Sequence, residues 1–209
     1  MPTRSTNIIA AITTAAVLSL PAFAASAATV ASATTPLNIR SGPGPQYSVV
    51  GAIPDKGQTT ILGCIEGSLW CQVTYDGKQG WAYSQYLTAT ISGRPLVVSE
   101  RIRELPPVTY AAPPATVGAT VATPVITGEF IARSGTPLSL APPPPTVRTY
   151  VTGNPVNPVY LNGEVVEGVG LPDNVVLTPV PEQQYQYAYV NGVPVLVEPT
   201  TRRVTYIYR

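Results

Sequence analysis

The sequence predicts an all-β protein built as a small barrel, a proline-rich linker and a second small β-rich unit. Three observations carry this. Between residues 37 and 88, five short apolar alternations (LNI, YSVVGAI, TTILGC, WCQVTY and GWAYSQYL) are each bounded by turn residues, the pattern of closely spaced antiparallel strands. From about 90 to 147 proline recurs, ending in APPPP, with Ala, Thr and Val between. From 148 onward, alternating apolar and aromatic residues return around two Asn-Gly pairs.

The amino-terminal stretch reads as a leader rather than a part of the fold. Arg4 is followed by an apolar run from Ile8 to Leu20, and small residues stand at Ala25 and Ala27. This is the pattern of a secretory signal peptide over 1–27, cleaved after Ala27. The run is shorter than the roughly 20 residues that span a bilayer, so a permanent anchor is not expected. Export to the periplasm or cell envelope follows as the expectation.

Charge and composition then exclude whole classes of function. The chain carries 12 Lys and Arg against 11 Asp and Glu, and Arg4 lies in the leader, so the remainder is neutral. Its cations are scattered, apart from Arg202 and Arg203, which argues against nucleic acid as a partner. There are no histidines. Ser-His-Asp and Cys-His arrangements and the HExxH zinc helix are therefore impossible, and no cofactor or metal is expected.

Over residues 34–89 the barrel opens with LNIRSGPGPQY. Two glycines in this stretch raise a phosphate cradle as a possibility, but Pro43 and Pro45 remove backbone donors and no Lys-Ser/Thr pair or helix follows. The turn reading is kept: Leu37 and Ile39 point inward, Asn38 and Arg40 outward, and the Gly and Pro residues make a stiff loop in which Gly42 and Gly44 permit positive φ. Asn38 to Pro43, Val50 to Ile53, Lys56-Gly57, Trp70 to Val73, Gly80-Trp81 and Tyr86-Leu87 together resemble a bacterial SH3 domain. The resemblance implies a five- to six-stranded barrel that acts as a targeting module for peptidoglycan or another envelope component, without chemistry of its own. Cys64 and Cys71 flank the hairpin connection IEGSLW, and in an exported chain a disulfide is expected. A redox pair would lack CxxC spacing, and two thiolates alone make a poor zinc site.

Residues 90–147 are read as a semi-extended spacer, because proline denies both helix and central strand. A short helix within PLVVSERIREL would place Val98, Ile102 and Leu105 on one side. Residues 148–209 follow as a small β-rich domain. Asn162-Gly163 and Asn191-Gly192 are expected as type I′ hairpin turns, with a third reversal at EPTTRR. This part resembles an uncharacterised domain of exported bacterial envelope proteins, a resemblance that carries no activity.

Candidate binding residues cluster on the barrel. Tyr47, Trp70 and Tyr83 offer aromatic surface near loops, and Arg40 offers a cation for a peptide carboxylate or, alternatively, a surface ion pair with Asp55 or Asp76. Trp81 is assigned to the core in preference to the ligand. Asp55, Glu66 and Asp76 in the barrel, and Glu164, Glu167 and Asp173 beyond it, are read as solvated turn residues and not as a catalytic pair. Tyr185, Tyr187, Tyr189, Tyr206 and Tyr208 alternate as strand faces do; they pack across strands or form an outward partner surface. The functional expectation is a non-enzymatic exported envelope protein whose barrel binds cell-wall peptide or glycan. Its alternatives are a structural or protein-interaction role, with the last strand pairing a partner's sheet edge, and a carboxylate-dependent wall hydrolase.

Overall fold

The computed structural model describes residues 28–112, 124–132 and 142–209. The expected leader lies outside these, as do parts of the expected spacer. Strand is the prevailing regular structure among the described residues, so the all-β class holds.

Eight strands make the first sheet: β1 (Thr29–Ala33), β2 (Leu37–Arg40), β3 (Val49–Ile53), β4 (Gln58–Cys64), β5 (Trp70–Tyr75), β6 (Lys78–Tyr83), β7 (Leu87–Ile91) and β8 (Arg94–Val97). Their order is β3-β2-β6-β5-β4-β1-β7-β8. Leu37, Ile39, Ile53, Ile61, Val73 and Leu87 come from both ends of that order into one buried cluster, so the sheet curls around its core. The alternation of LNI works as expected, with Leu37 and Ile39 fully buried. β1 lies in what reads as a polar lead-in, yet it pairs with both β4 and β7. Its inward residues are only Ala31 and Ala33, too small for an apolar alternation to stand out in the sequence.

The spacer is not free of structure. Ser92 and Gly93 both have positive φ and turn the chain into β8, an edge strand where Pro95 needs no donor. Val98–Glu104 forms 3₁₀ turns that bury Val98, with Leu105 buried beyond them. The Pro106 carbonyl then accepts from the Cys64 N–H at 2.9 Å, and the Val108 N–H donates to the Cys64 carbonyl at 3.0 Å. Proline lacks a donor but keeps its carbonyl, so the strand docks as a strap along β4.

In the carboxy-terminal half, β9 (Ile126–Glu129) runs parallel to β10 (Tyr160–Asn162). Four more strands, β11 (Thr178–Pro179), β12 (Gln186–Val190), β13 (Val193–Glu198) and β14 (Arg203–Ile207), form an antiparallel sheet in sequence order. Asn191 and Gly192, with φ of 52° and 76°, make the expected tight turn between β12 and β13. Asn162-Gly163 does not: β10 takes its partner from the spacer, and only Gly163 has positive φ. The reversal at EPTTRR joins β13 to β14, with Arg202 at φ 54°.

One α-helix, α1 (Pro145–Gly153), departs from the expected strand pattern. Pro145 sits in its first turn, where no N–H is missed and φ is already helical. It covers the tyrosine face of the second sheet: Val147 and Val151 pack with Tyr187, Leu196 and Tyr208. Tyr187 donates to the Asn154 carbonyl at 2.7 Å and Tyr189 to the Val151 carbonyl at 3.1 Å. The row of tyrosines is thus not an outward partner surface. The outer edge of β14 is also occupied, since Gly168 N–H donates to the Val204 carbonyl and Val204 N–H to the Val169 carbonyl. That pairing leaves little of the last strand for a partner's sheet edge.

Candidate functional site

The alternation that buries Leu37 and Ile39 sends Asn38 and Arg40 to the outer face of β2. On β6 and β5 the same face carries Trp81, Tyr83 and Trp70, with Arg40 opposite Trp81 and Trp70 opposite Tyr83. Every predicted binding residue on these strands therefore shares one face. That face is not open to solvent, because the carboxy-terminal half lies on it.

At the centre of the contact is Glu164. Its carboxylate takes two donors from Arg40, Nε on Oε2 and Nη2 on Oε1 at 2.7 Å, while Asn38 Nδ2 and the Val165 N–H also donate to Oε1 at 3.1 and 3.0 Å. Arg40 Nη1 donates to the carbonyls of Pro45, Tyr47 and Asn191 at 3.0, 2.7 and 3.0 Å. Asn191 in turn accepts from the Leu161 N–H at 2.8 Å and donates to the Gly163 carbonyl at 3.1 Å. Arg209 closes the network by donating to Asn38 Oδ1 at 2.7 Å. Asn38, Arg40 and Asn191 are wholly buried and Glu164 is 1% exposed. Buried charges of this kind persist only when paired and fully hydrogen-bonded, as these are.

Two expectations are corrected here. Arg40 faces outward from the barrel, as expected, but it does not reach solvent or pair with Asp55 or Asp76; the second domain supplies its carboxylate. Glu164 is not a solvated turn acid, although Asp55, Glu66, Asp76 and Asp173 are exposed. The loop SGPGPQY is held by the same guanidinium, through two of its carbonyls. Neither Gly42 nor Gly44 has positive φ. Gly42 is required for space instead, since a Cβ there would run into the Tyr47 ring.

The aromatic residues form a second cluster beside the ion pair. Trp70, Trp81 and Tyr83 are buried together, outside the barrel core to which Trp81 was assigned. Tyr110, from the strap, sits edge-on between Tyr47 and Trp81, with both ring centroids 5.5 Å away. Burial first, and then a hydrogen bond with Tyr47, raises the Tyr110 phenol above its usual value. Trp70 stacks edge-on against Tyr83 at 5.3 Å, and a Cβ at Gly163 would stand 3.4 Å from the Tyr83 ring. Glycine at 163, with φ 100°, lets the second domain close on that ring.

What remains open is the seam itself. A cleft of about 490 Å³ runs between the halves, walled by Leu69, Tyr83, Tyr86, Phe130 and Ile131 and edged by Gln85, Glu129 and Asn162. A second opening of about 330 Å³ continues it past Leu69, Trp70, Tyr83 and Asn162 to the SGPGPQY loop and Ile126. Tyr83 is shared by both. Its phenol is raised by burial and, secondarily, by the negative charge of Glu129. Of the predicted binding residues, Tyr83 and Trp70 border these openings, whereas Arg40 and Tyr47 do not.

The residues missed in the sequence are Glu164, Asn191, Tyr110, Glu129 and Phe130. The available signal was a charge set against an apolar run, Arg40 in LNIR and Glu164 in GEVV, in a chain with few charges. Glu129 and Phe130 lay in the presumed spacer and gave no signal.

The Cys64–Cys71 disulfide is formed, between directly opposed residues of β4 and β5. Among the described residues there is no grouping of acids or cysteines suited to a metal ion, and no helix is long and apolar enough to cross a membrane.

Two family models match separate parts of the chain. Residues 35–88 match the family model of the bacterial SH3 domain. Residues 150–209 match a domain of unknown function, DUF1236. A Bacillus subtilis (strain 168) protein, YrvJ, provisionally named an N-acetylmuramoyl-L-alanine amidase, is 36% identical over 61 residues. That match takes in 29% of this chain and 11% of YrvJ.

Proposed function

We propose that this chain is a non-enzymatic protein of the bacterial cell envelope that binds cell-wall peptide or glycan in the seam cleft between its two halves. The observation that carries the reading is the cleft: among the described residues, Tyr83 of the barrel's aromatic face borders open space there, and the second half adds polar groups. Apolar walls with a few convergent polar groups are what small-ligand sites require. The SH3 match and the resemblance to a protein named for wall-peptide chemistry support an association with the wall. The disulfide fits an oxidising compartment outside the cytoplasm.

A binding role is favoured over hydrolysis by the fate of the acids. A glycosidase uses two carboxyl groups across its cleft. Here Glu164 is committed to Arg40, which leaves Glu129 alone among the lining acids.

The test is co-sedimentation of the purified chain with insoluble peptidoglycan sacculi, with the supernatant assayed for released fragments. Binding that falls in Leu69→Ser, a residue 37% exposed at the junction of both openings, agrees with the reading. Absence of the chain from the pellet overturns it, and fragment release restores the hydrolase.

A further inference from the structure

We infer that the seam cleft selects a ligand bearing a primary ammonium group on a peptide, which docks against Glu129. This rests on the cleft being the binding site, as proposed above, and adds the chemistry it recognises.

The charge of the cleft favours a cation. Among the described residues, neither opening is lined by lysine or arginine, and of the two acids, Glu164 is neutralised from behind by Arg40. The charge left to the cleft is that of Glu129, an exposed carboxylate whose described partner is the neutral Asn162 amide, 3.3 Å away. An anionic ligand would meet a like charge with no cation among the described lining residues to offset it.

The walls suit the same group. The rings of Tyr83, Tyr86 and Phe130 border the same space as Glu129. Aromatic rings attract a cation over their faces, at about 0.5–1 kcal/mol where solvent reaches and more where it does not. Leu69, Ile126 and Ile131 stand exposed around the openings, with Ile126 47% and Ile131 53% accessible. They suit the methylene stem of a side chain that ends in an amine. The field of Glu129 reaches the cleft floor, since it contributes to raising the Tyr83 phenol.

The site is assembled from both halves. Glu129 ends β9, and β9 is held in place by β10 and by the Asn174 amide, which donates to the Thr127 carbonyl at 3.3 Å. The carboxylate is thus carried on a paired strand and faces an aromatic floor supplied by the barrel. Neither half makes the site alone.

The experiment uses the full chain labelled for NMR and two probes, a lysine-containing tripeptide and the same peptide acetylated at the side-chain amine. The free-amine peptide is expected to shift the amides of Glu129, Asn162 and Gly163 and to bind at least tenfold more tightly than its acetylated form. Glu129→Gln, an exposed substitution that leaves the fold intact, is expected to remove that preference. Equal binding of both peptides, or binding of neither, overturns the inference. Sacculi that sediment the protein equally before and after amine acetylation overturn it while leaving wall binding standing. Amine-dependent peptide binding with no sedimentation on sacculi supports the ammonium selectivity and refutes the wall ligand.

Discussion

Arg40 and Glu164, separated by 124 positions in the chain, form a two-point ion pair that is almost wholly excluded from solvent. It joins the second strand of the barrel to the segment that follows β10. The barrel face on which the sequence places a ligand is thereby used to hold the second domain, and a single buried apolar cluster includes residues from both halves. One cooperative unfolding unit is the physical consequence.

Breaking the pair on one side leaves a buried charge without a partner, which costs about 3–5 kcal/mol. Arg40→Met and Glu164→Leu are each expected to lose stability on that scale. The double variant removes both charges and is expected to be less destabilised than the sum of the singles by at least about 2 kcal/mol. It does not return fully to the parent value, because the Pro45, Tyr47 and Asn191 carbonyls lose their donor. Urea unfolding of the four proteins measures this; additive costs would mean that the two side chains are not coupled.

The disulfide closes a short loop between opposed strands. On the chain-entropy estimate, the Cys64→Ser/Cys71→Ser double variant loses about 2.5 kcal/mol while keeping its β-sheet circular dichroism. Mass measurement with and without reductant before alkylation comes first. Two free thiols in the untreated protein would contradict the structure.

Tyr208 is buried beneath α1, and its hydroxyl has no hydrogen-bond partner among the described residues. Burial is the main cause of its phenol rising to about 12. Tyr208→Phe keeps the ring on its neighbours and removes an unsatisfied polar group, whose burial costs about 1–3 kcal/mol. The variant is expected to be as stable as the parent or more so, by up to about 1 kcal/mol after relaxation. A loss of stability would mean that the hydroxyl is bonded in solution.

Glu198 shapes the acid limb of the stability curve. The Thr201 hydroxyl donates to its carboxylate and is the largest cause of its fall from 4.5 to about 2; burial, next in size, opposes it, and the Thr201 and Thr200 N–H groups lower it further. The folded value lies below the unfolded one. The contribution is therefore complete above the ordinary value and is lost as pH falls through about 2. Carboxyl NMR of Glu198 is expected to show little protonation at its ordinary value, and Glu198→Gln to flatten the acid-range stability profile. Titration near 4.5 would show that the turn does not hold the charge.

Local patterning sufficed for the barrel, the turn at Asn191-Gly192 and the disulfide pair. Alternation separates the inner residues Leu37 and Ile39 from Asn38 and Arg40, positive-φ tolerance marks the turn, and two cysteines flanking a hairpin find each other across it. These are interactions within about a dozen residues. Nothing local tells Ala31 and Ala33 that they complete a sheet between β4 and β7, or Pro106 and Val108 that their carbonyl and N–H strap β4. The helix α1 is similarly silent, because its helical face acquires meaning only against Tyr187 and Tyr208.

The candidate site divides the same way. Residue types alone mark Arg40, Tyr47, Trp70 and Tyr83 as able to recognise a ligand, because a guanidinium offers charge and aromatic rings offer large amphipathic surface. Folding decided that Glu164 would take Arg40, that Tyr110 would cover Tyr47 and Trp81, and that Tyr83 alone would keep access to both openings beside Glu129. A strand face has no memory of which partner its chemistry was suited to. Desolvated in the complete chain, it binds the complementary groups that the rest of the sequence brings to it at the highest effective concentration.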